Sequence, residues 1–190
     1  MNVNLNIPAV LSYNYSIKRC NTSRNSLTND ETASVDAGGS LTMHIYGDTK
    51  DEEALTCVGW PDGSNASVYR VDSSSSESLE YKVKYWGKDG EEKEYIVNPK
   101  DVDPEDASYI EMLAYTTYAD VNGITQNGFT DFVIAAGGVN QDITYDAEEI
   151  DLKYDFKNLV KEMMQLQYKT NNLESYLAYK KLFDYMDETK

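Results

Sequence analysis

Between residues 79 and 85 apolar and polar positions alternate, with Leu79, Tyr81, Val83 and Tyr85 set against Glu80, Lys82 and Lys84. A period of two predicts a half-buried strand. Gly87-Lys88-Asp89-Gly90 tolerates positive φ, so the chain reverses there. The return strand, residues 92–97, stops at Asn98-Pro99 because proline has no N–H for a ladder. Upstream, Leu41, Met43 and Ile45 alternate with Thr42, His44 and Tyr46, and Gly47-Asp48 closes that strand. Residues 54–60 predict another, ended by the turn Pro61-Asp62-Gly63, and residues 66–71 a third. Order is expected to begin at Leu41. Five short strands with hairpin-length connections predict a small antiparallel sheet over residues 41–97.

The period changes after Pro104. Asp103 reads as an N-cap, Pro104 as the first helical residue, and Glu105 and Asp106 as acids facing the positive helix end. Ile110, Leu113, Ala114 and Thr117 follow at helical spacing, up to a stop near Asn122-Gly123. A short helix is expected from Thr130, its cap, to Gly137-Gly138, its stop. Phe156, Leu159, Val160, Met163 and Leu166 mark one face of a long helix over residues 151–169. After a break at Asn171-Asn172, Leu173, Tyr176, Leu177, Phe183 and Met186 mark a final helix, antiparallel to its predecessor. Strands first, then three to four helices over residues 104–187, make the fold class α+β. Residues 1–40, rich in Asn, Ser and Thr, read as a mobile arm. Residues 41–190 read as one domain, β-rich over 41–98 and α-rich over 103–187.

Composition supports a proper core: 41% of the 190 residues are hydrophobic. Sixteen tyrosines against four phenylalanines mean that many buried rings need a partner for a hydroxyl. The formal net charge of −16 repels phosphate backbones and anionic headgroups, which argues against nucleic acid and membrane surfaces as partners. Residues 1–29 hold Lys18, Arg19 and Arg24 and no acid, so the arm is +3 and the rest, by difference from −16, is −19. No run approaches the ~18 apolar residues of a membrane span, and no secretory signal stands at the start. A soluble, cytoplasmic protein is the default expectation, with leaderless export through the arm as the alternative. Cys20 and Cys57 could form one bridge or remain two thiols.

The candidate chemistry is sparse. Asp120, Asn122 and Asp131 fit positions one, three and twelve of a calcium loop, but Ile124 and Thr125 stand where an oxygen ligand and a glycine belong. The competing reading is a helix C-cap, a polar loop and a carboxylate in the next helix. Asp101, Asp103, Glu105 and Asp106 form a second acidic cluster, which capping explains without a site. His44 is the only histidine, too few for a multi-histidine zinc site, and no Gly-x-Ser-x-Gly elbow accompanies it as a possible base. Ala135-Ala136-Gly137-Gly138 ends a helix and opens none, so it is no phosphate cradle. No cofactor is expected.

Val68-Tyr69-Arg70, Asp106-Ala107-Ser108-Tyr109-Ile110-Glu111-Met112, Thr130-Asp131-Phe132 and Tyr176-Leu177-Ala178-Tyr179-Lys180-Lys181-Leu182 together resemble a family of short uncharacterised proteins of anaerobic bacteria, a domain of unknown function, over about residues 55–187. The resemblance implies a bacterial source and a recurring module, and assigns no residue a role. The residues themselves support a non-catalytic module that binds a protein partner. The alternatives are an exported or surface-associated protein with a leaderless arm, and a hydrolase or lyase using dispersed carboxylates and tyrosines.

Overall fold

The computed structural model describes residues 33–36, 40–43, 54–71, 79–139 and 149–188. Its architecture is α+β, with a four-stranded antiparallel sheet, two two-stranded ladders and four α-helices among these residues. The N-terminal ladder corrects two expectations. β1 (Ala33–Asp36) falls inside the stretch read as an arm, and β2 (Ser40–Met43) pairs with it and not with the main sheet. The register sets Ala33 opposite Met43 and Val35 opposite Leu41. The main sheet therefore has four strands instead of five. Cys20 and His44 lie outside the described residues.

β3 (Thr56–Gly59), β4 (Asn65–Arg70), β5 (Tyr81–Trp86) and β6 (Glu92–Val97) follow one another across the sheet in chain order. The predicted turn residues do their work at Gly63 and Gly90, whose φ values are 93° and 81°. Val83 lies between Val68 and Tyr95, and Tyr85 between Ala66 and Lys93, so one face of the pleat is apolar. Tyr81, Val83 and Tyr85 are buried there.

The first helix starts five residues later than expected. Asp103 caps a turn: its carboxylate accepts from Glu105 N, and its carbonyl accepts from Asp106 N. The chain then runs extended as β7 (Ala107–Ser108), and α1 (Tyr109–Val121) begins behind Ser108. Ser108 and Glu111 form a capping box, with Glu111 N donating to Ser108 Oγ at 3.2 Å and Ser108 N to Glu111 Oε2 at 2.6 Å. Pairing of β7 with β8 (Lys153–Tyr154) holds Ala107 and Ser108 extended, which outweighs the Asp-Pro start signal. α2 (Gly128–Val139) begins two residues before the expected Thr130 cap and runs through Gly137-Gly138, the expected stop. α3 (Phe156–Lys169) starts behind Asp155, whose carboxylate accepts from Asn158 N, and not at residue 151. α4 (Leu173–Glu188) packs against α3 as anticipated.

α1 is the centre of the core. From Tyr109 to Thr117 every residue but Glu111 is buried, so the helix has no wet face of the usual width. On one side Thr117 Oγ1 lies 2.7 Å from Thr56 Oγ1 of β3, and Tyr109 meets Trp60 with ring centroids 5.7 Å apart. On the other, Tyr109 packs on Phe132 of α2 and Phe156 of α3, while Tyr115 stacks on Tyr185 of α4 at 4.7 Å. Burial of each such side chain contributes roughly 1.5–3 kcal/mol or more against exposure. Two of its buried hydroxyls find carbonyls: Thr116 Oγ1 donates to Met112 O, and Tyr115 Oη to Tyr185 O.

Candidate functional site

The two acidic features of the sequence come apart in the structure. Asp101 accepts from Asn98 Nδ2 in a short 3₁₀ turn, Asp103 caps the turn after it, and Asp106 is exposed. Glu105 instead reaches Lys157, whose Nζ lies 2.8 Å from Glu105 Oε1 and 2.8 Å from Asp187 Oδ1. These two hydrogen bonds, the one to Asp187 foremost, hold the Lys157 pKa above the ordinary lysine range. Lys157 thus ties the start of α3 to the turn before α1 and to the end of α4. Sequence spacing gives no sign of it, since its partners stand far away along the chain.

Asp120, Asn122 and Asp131 occupy the connection between α1 and α2. Asp120 Oδ1 accepts from Gly128 N at 2.7 Å and from Thr125 Oγ1 at 2.7 Å, and Asp120 Oδ2 accepts from Phe129 N at 3.0 Å. A carboxylate at the end of one helix therefore caps the N-terminus of the next, where backbone donors and the helix dipole favour negative charge. The packing is close: a Cβ on Gly128 would lie 2.5 Å from Thr125 Oγ1. Asn122 is the exposed C-cap of α1, and its side-chain amide donates back to Tyr118 O. Asp131, in the first turn of α2, is half-buried. Burial, and then the charge on Asp120, push its carboxyl up to about 6. Burial and the nearby Asp131 also raise the pKa of Tyr179 on α4. What the sequence offers as ligands is thus a cap, a C-cap and a carboxyl that resists ionising. Among the described residues no group of three or more His, Cys, Asp or Glu side chains could hold a metal ion.

The feature that sequence reading missed is at the closed end of the α3–α4 hairpin. Leu159, Val160 and Met163 are buried as expected, but Leu166 is 48% exposed, Tyr168 62%, Leu173 60% and Leu177 62%. The buried face of α4 is Tyr179, Leu182, Tyr185 and Met186. Leu173 and Leu177 point elsewhere: at 100° per residue they stand about 140–180° round the helix from Leu182. That offset was available in the sequence, where Tyr179-x-x-Leu182-x-x-x-Met186 forms a stripe of its own. Asn171, at φ 59°, turns the chain at the closed end of the hairpin. Tyr168 and Tyr176 brace the two helices across this turn, with ring centroids 5.4 Å apart. Four large apolar side chains, each about half exposed or more, thus gather within two turns of residues 170–172.

No protein-family model, curated protein or solved structure matches this chain. Among the described residues no helix is long and apolar enough to cross a membrane.

Proposed function

We propose that this protein acts by binding another protein through the closed end of the α3–α4 hairpin. The observation that carries this reading is the exposed group Leu166, Tyr168, Leu173 and Leu177. Large apolar side chains left exposed close together on one element mark interaction sites, since their exposure to water is unfavourable unless a partner covers them. The partner is a different chain with an apolar contact surface and a net basic charge. A net charge of −16 opposes association between copies and steers basic partners toward the molecule. Catalysis is not required for this role.

The test places a photo-crosslinking residue at Leu173 or Leu177 in the full chain, in the cells that make it, with Lys100 as the control position. A discrete adduct from 173 and 177 is expected, absent from 100 and lost when Leu166 and Tyr168 are changed to serine. No adduct, the same adduct from 100, or an adduct of twice the chain mass overturns the proposal.

A second reading, a hydrolase or lyase built on dispersed carboxylates and tyrosines, draws on Asp131, whose raised pKa suits acid–base work. Against it, both oxygens of the neighbouring Asp120 are committed to capping α2. A hydrolytic activity abolished by Asp131→Asn would favour this second reading.

A further inference from the structure

Tyr81 ends the core face of the main sheet with a hydroxyl that the fold does not answer. The residue is 1% exposed, and its Oη makes no hydrogen bond among the described residues. A buried phenol ordinarily has a partner for that group. Directly across the β4–β5 ladder stands Arg70. By the alternation of β4, Arg70 falls on the core side with Ala66 and Val68, yet it is exposed, so it stands where that face meets solvent. It is the one arginine among the described residues and has no ion-pair partner there, in a chain of 33 acidic and 17 basic residues. Tyr118 of α1 closes the third side. Its ring meets Tyr81 edge to face, with centroids 6.2 Å apart, and its hydroxyl likewise makes no hydrogen bond among the described residues. Tyr118 is half-buried, so the crevice is lined from its deep end to its mouth. Burial raises the Tyr81 pKa and the Arg70 charge opposes the rise, which sets the guanidinium near that hydroxyl. Burial and Tyr115, and then Tyr118 and Tyr81, raise the pKa of Tyr185, so phenols from β5, α1 and α4 meet at this corner.

We propose that Arg70, Tyr81 and Tyr118 form a binding site for a small carboxylic acid, held as its carboxylate. The guanidinium supplies the charge and a planar fork that matches two carboxylate oxygens. The two phenols, protonated at neutral pH, donate to the lone pairs that the fork leaves open. Arg70 brings a single positive charge, which suits a monoanion. A phosphate dianion would add a second negative charge to a molecule that already carries −16. The body of the acid is apolar and compact. Leu79, two residues before Tyr81, is half-buried against the same core as Tyr118, and the two offer it an apolar rim. None of these residues belongs to the closed end of the α3–α4 hairpin, so this site stands or falls apart from the protein-binding one.

Titration calorimetry of the full chain with sodium benzoate at neutral pH tests this, with circular dichroism to establish that each variant is folded. Saturable binding of one benzoate per chain is expected. Arg70→Gln, at an exposed position the fold can spare, is expected to weaken it about tenfold or more, the usual effect of losing a charged hydrogen-bond partner. Tyr81→Phe and Tyr118→Phe, which keep the rings, should each weaken it several-fold, and Lys100→Gln should leave it unchanged. The proposal fails if benzoate shows no saturable binding, or if Arg70→Gln binds it as the parent does. Benzyl alcohol binding as tightly as benzoate would make the crevice merely apolar and overturns the carboxylate site. Inorganic phosphate displacing benzoate at equal concentration would make it a phosphate site and overturns it as well.

Discussion

Asp120 holds Gly128: the carboxylate that ends α1 accepts the first backbone N–H of α2 at 2.7 Å, and the next, from Phe129, at 3.0 Å. Two helices are joined by one side chain across six intervening loop residues. Asp120→Ala is expected to destabilise the fold by about 1–2 kcal/mol, the usual cost of losing a helix N-cap. Asp120→Asn, which keeps one acceptor, should cost less. Gly128→Ala should also destabilise, because its methyl would press on Thr125 Oγ1. Urea unfolding midpoints check all three, and an unchanged midpoint in Asp120→Ala contradicts the capping role.

Asp131 makes stability depend on pH in an unusual direction. With its carboxyl pushed up to about 6, the folded state holds this proton more tightly than the unfolded chain does. Its contribution is fully present below the ordinary aspartate pKa of about 4, and is lost as pH rises through about 6. Asp131→Asn cannot ionise, so it should gain on the parent protein between those limits. The gain at neutral pH should be about 1–2 kcal/mol, below the full shift because solvent screens a half-buried group. Unfolding measured at pH 4 and pH 7.5 for both proteins gives the answer, and a difference independent of pH refutes it.

The two faces of α4 predict opposite outcomes for the same substitution. Leu182, fully buried, should cost about 2–5 kcal/mol when changed to alanine. Leu177, 62% exposed, should change stability by no more than about 0.5 kcal/mol. Chemical denaturation of the two variants checks the assignment, which fails if Leu177→Ala proves the costlier.

Lys157 joins three segments, whereas Lys180 pairs with Asp184 one turn along its own helix. Lys157→Gln should lower the melting temperature and Lys180→Gln should leave it almost unchanged. Thermal unfolding by circular dichroism distinguishes them.

Legibility in the sequence followed the range of the forces involved. The β5–β6 hairpin was readable because its alternation and its Gly87–Gly90 turn are local. The start of α1 was not, because two cap signals compete within six residues. Asp103-Pro104 is the more conspicuous, but Ser108-x-x-Glu111 wins once β8 holds Ala107 and Ser108 extended. The stripe drawn on α4 mixed Leu173 and Leu177 with Met186, three residues that no single helix face accommodates. The calcium-loop positions were readable as a pattern, yet the capping of α2 by Asp120 depends on a loop geometry that spacing does not specify. Burial of Lys84, only 5% exposed, was invisible for a similar reason, since alternation assigns it to water.

The burial of α1 on both sides also fixes when the molecule can become itself. Its contacts reach 61 residues back, from Thr117 to Thr56, and 70 residues forward, from Tyr115 to Tyr185. Loops of that length cost entropy before their contacts offset it. As the chain leaves the ribosome, the sheet is already present when α1 emerges, but α4 is among the last segments made. Until then a helix that is almost wholly buried in the finished fold has one side uncovered, which exposes the nascent protein to aggregation. Docking of α4 is therefore the committing event, and fragments cut ahead of residue 173 are expected to aggregate where the full chain folds.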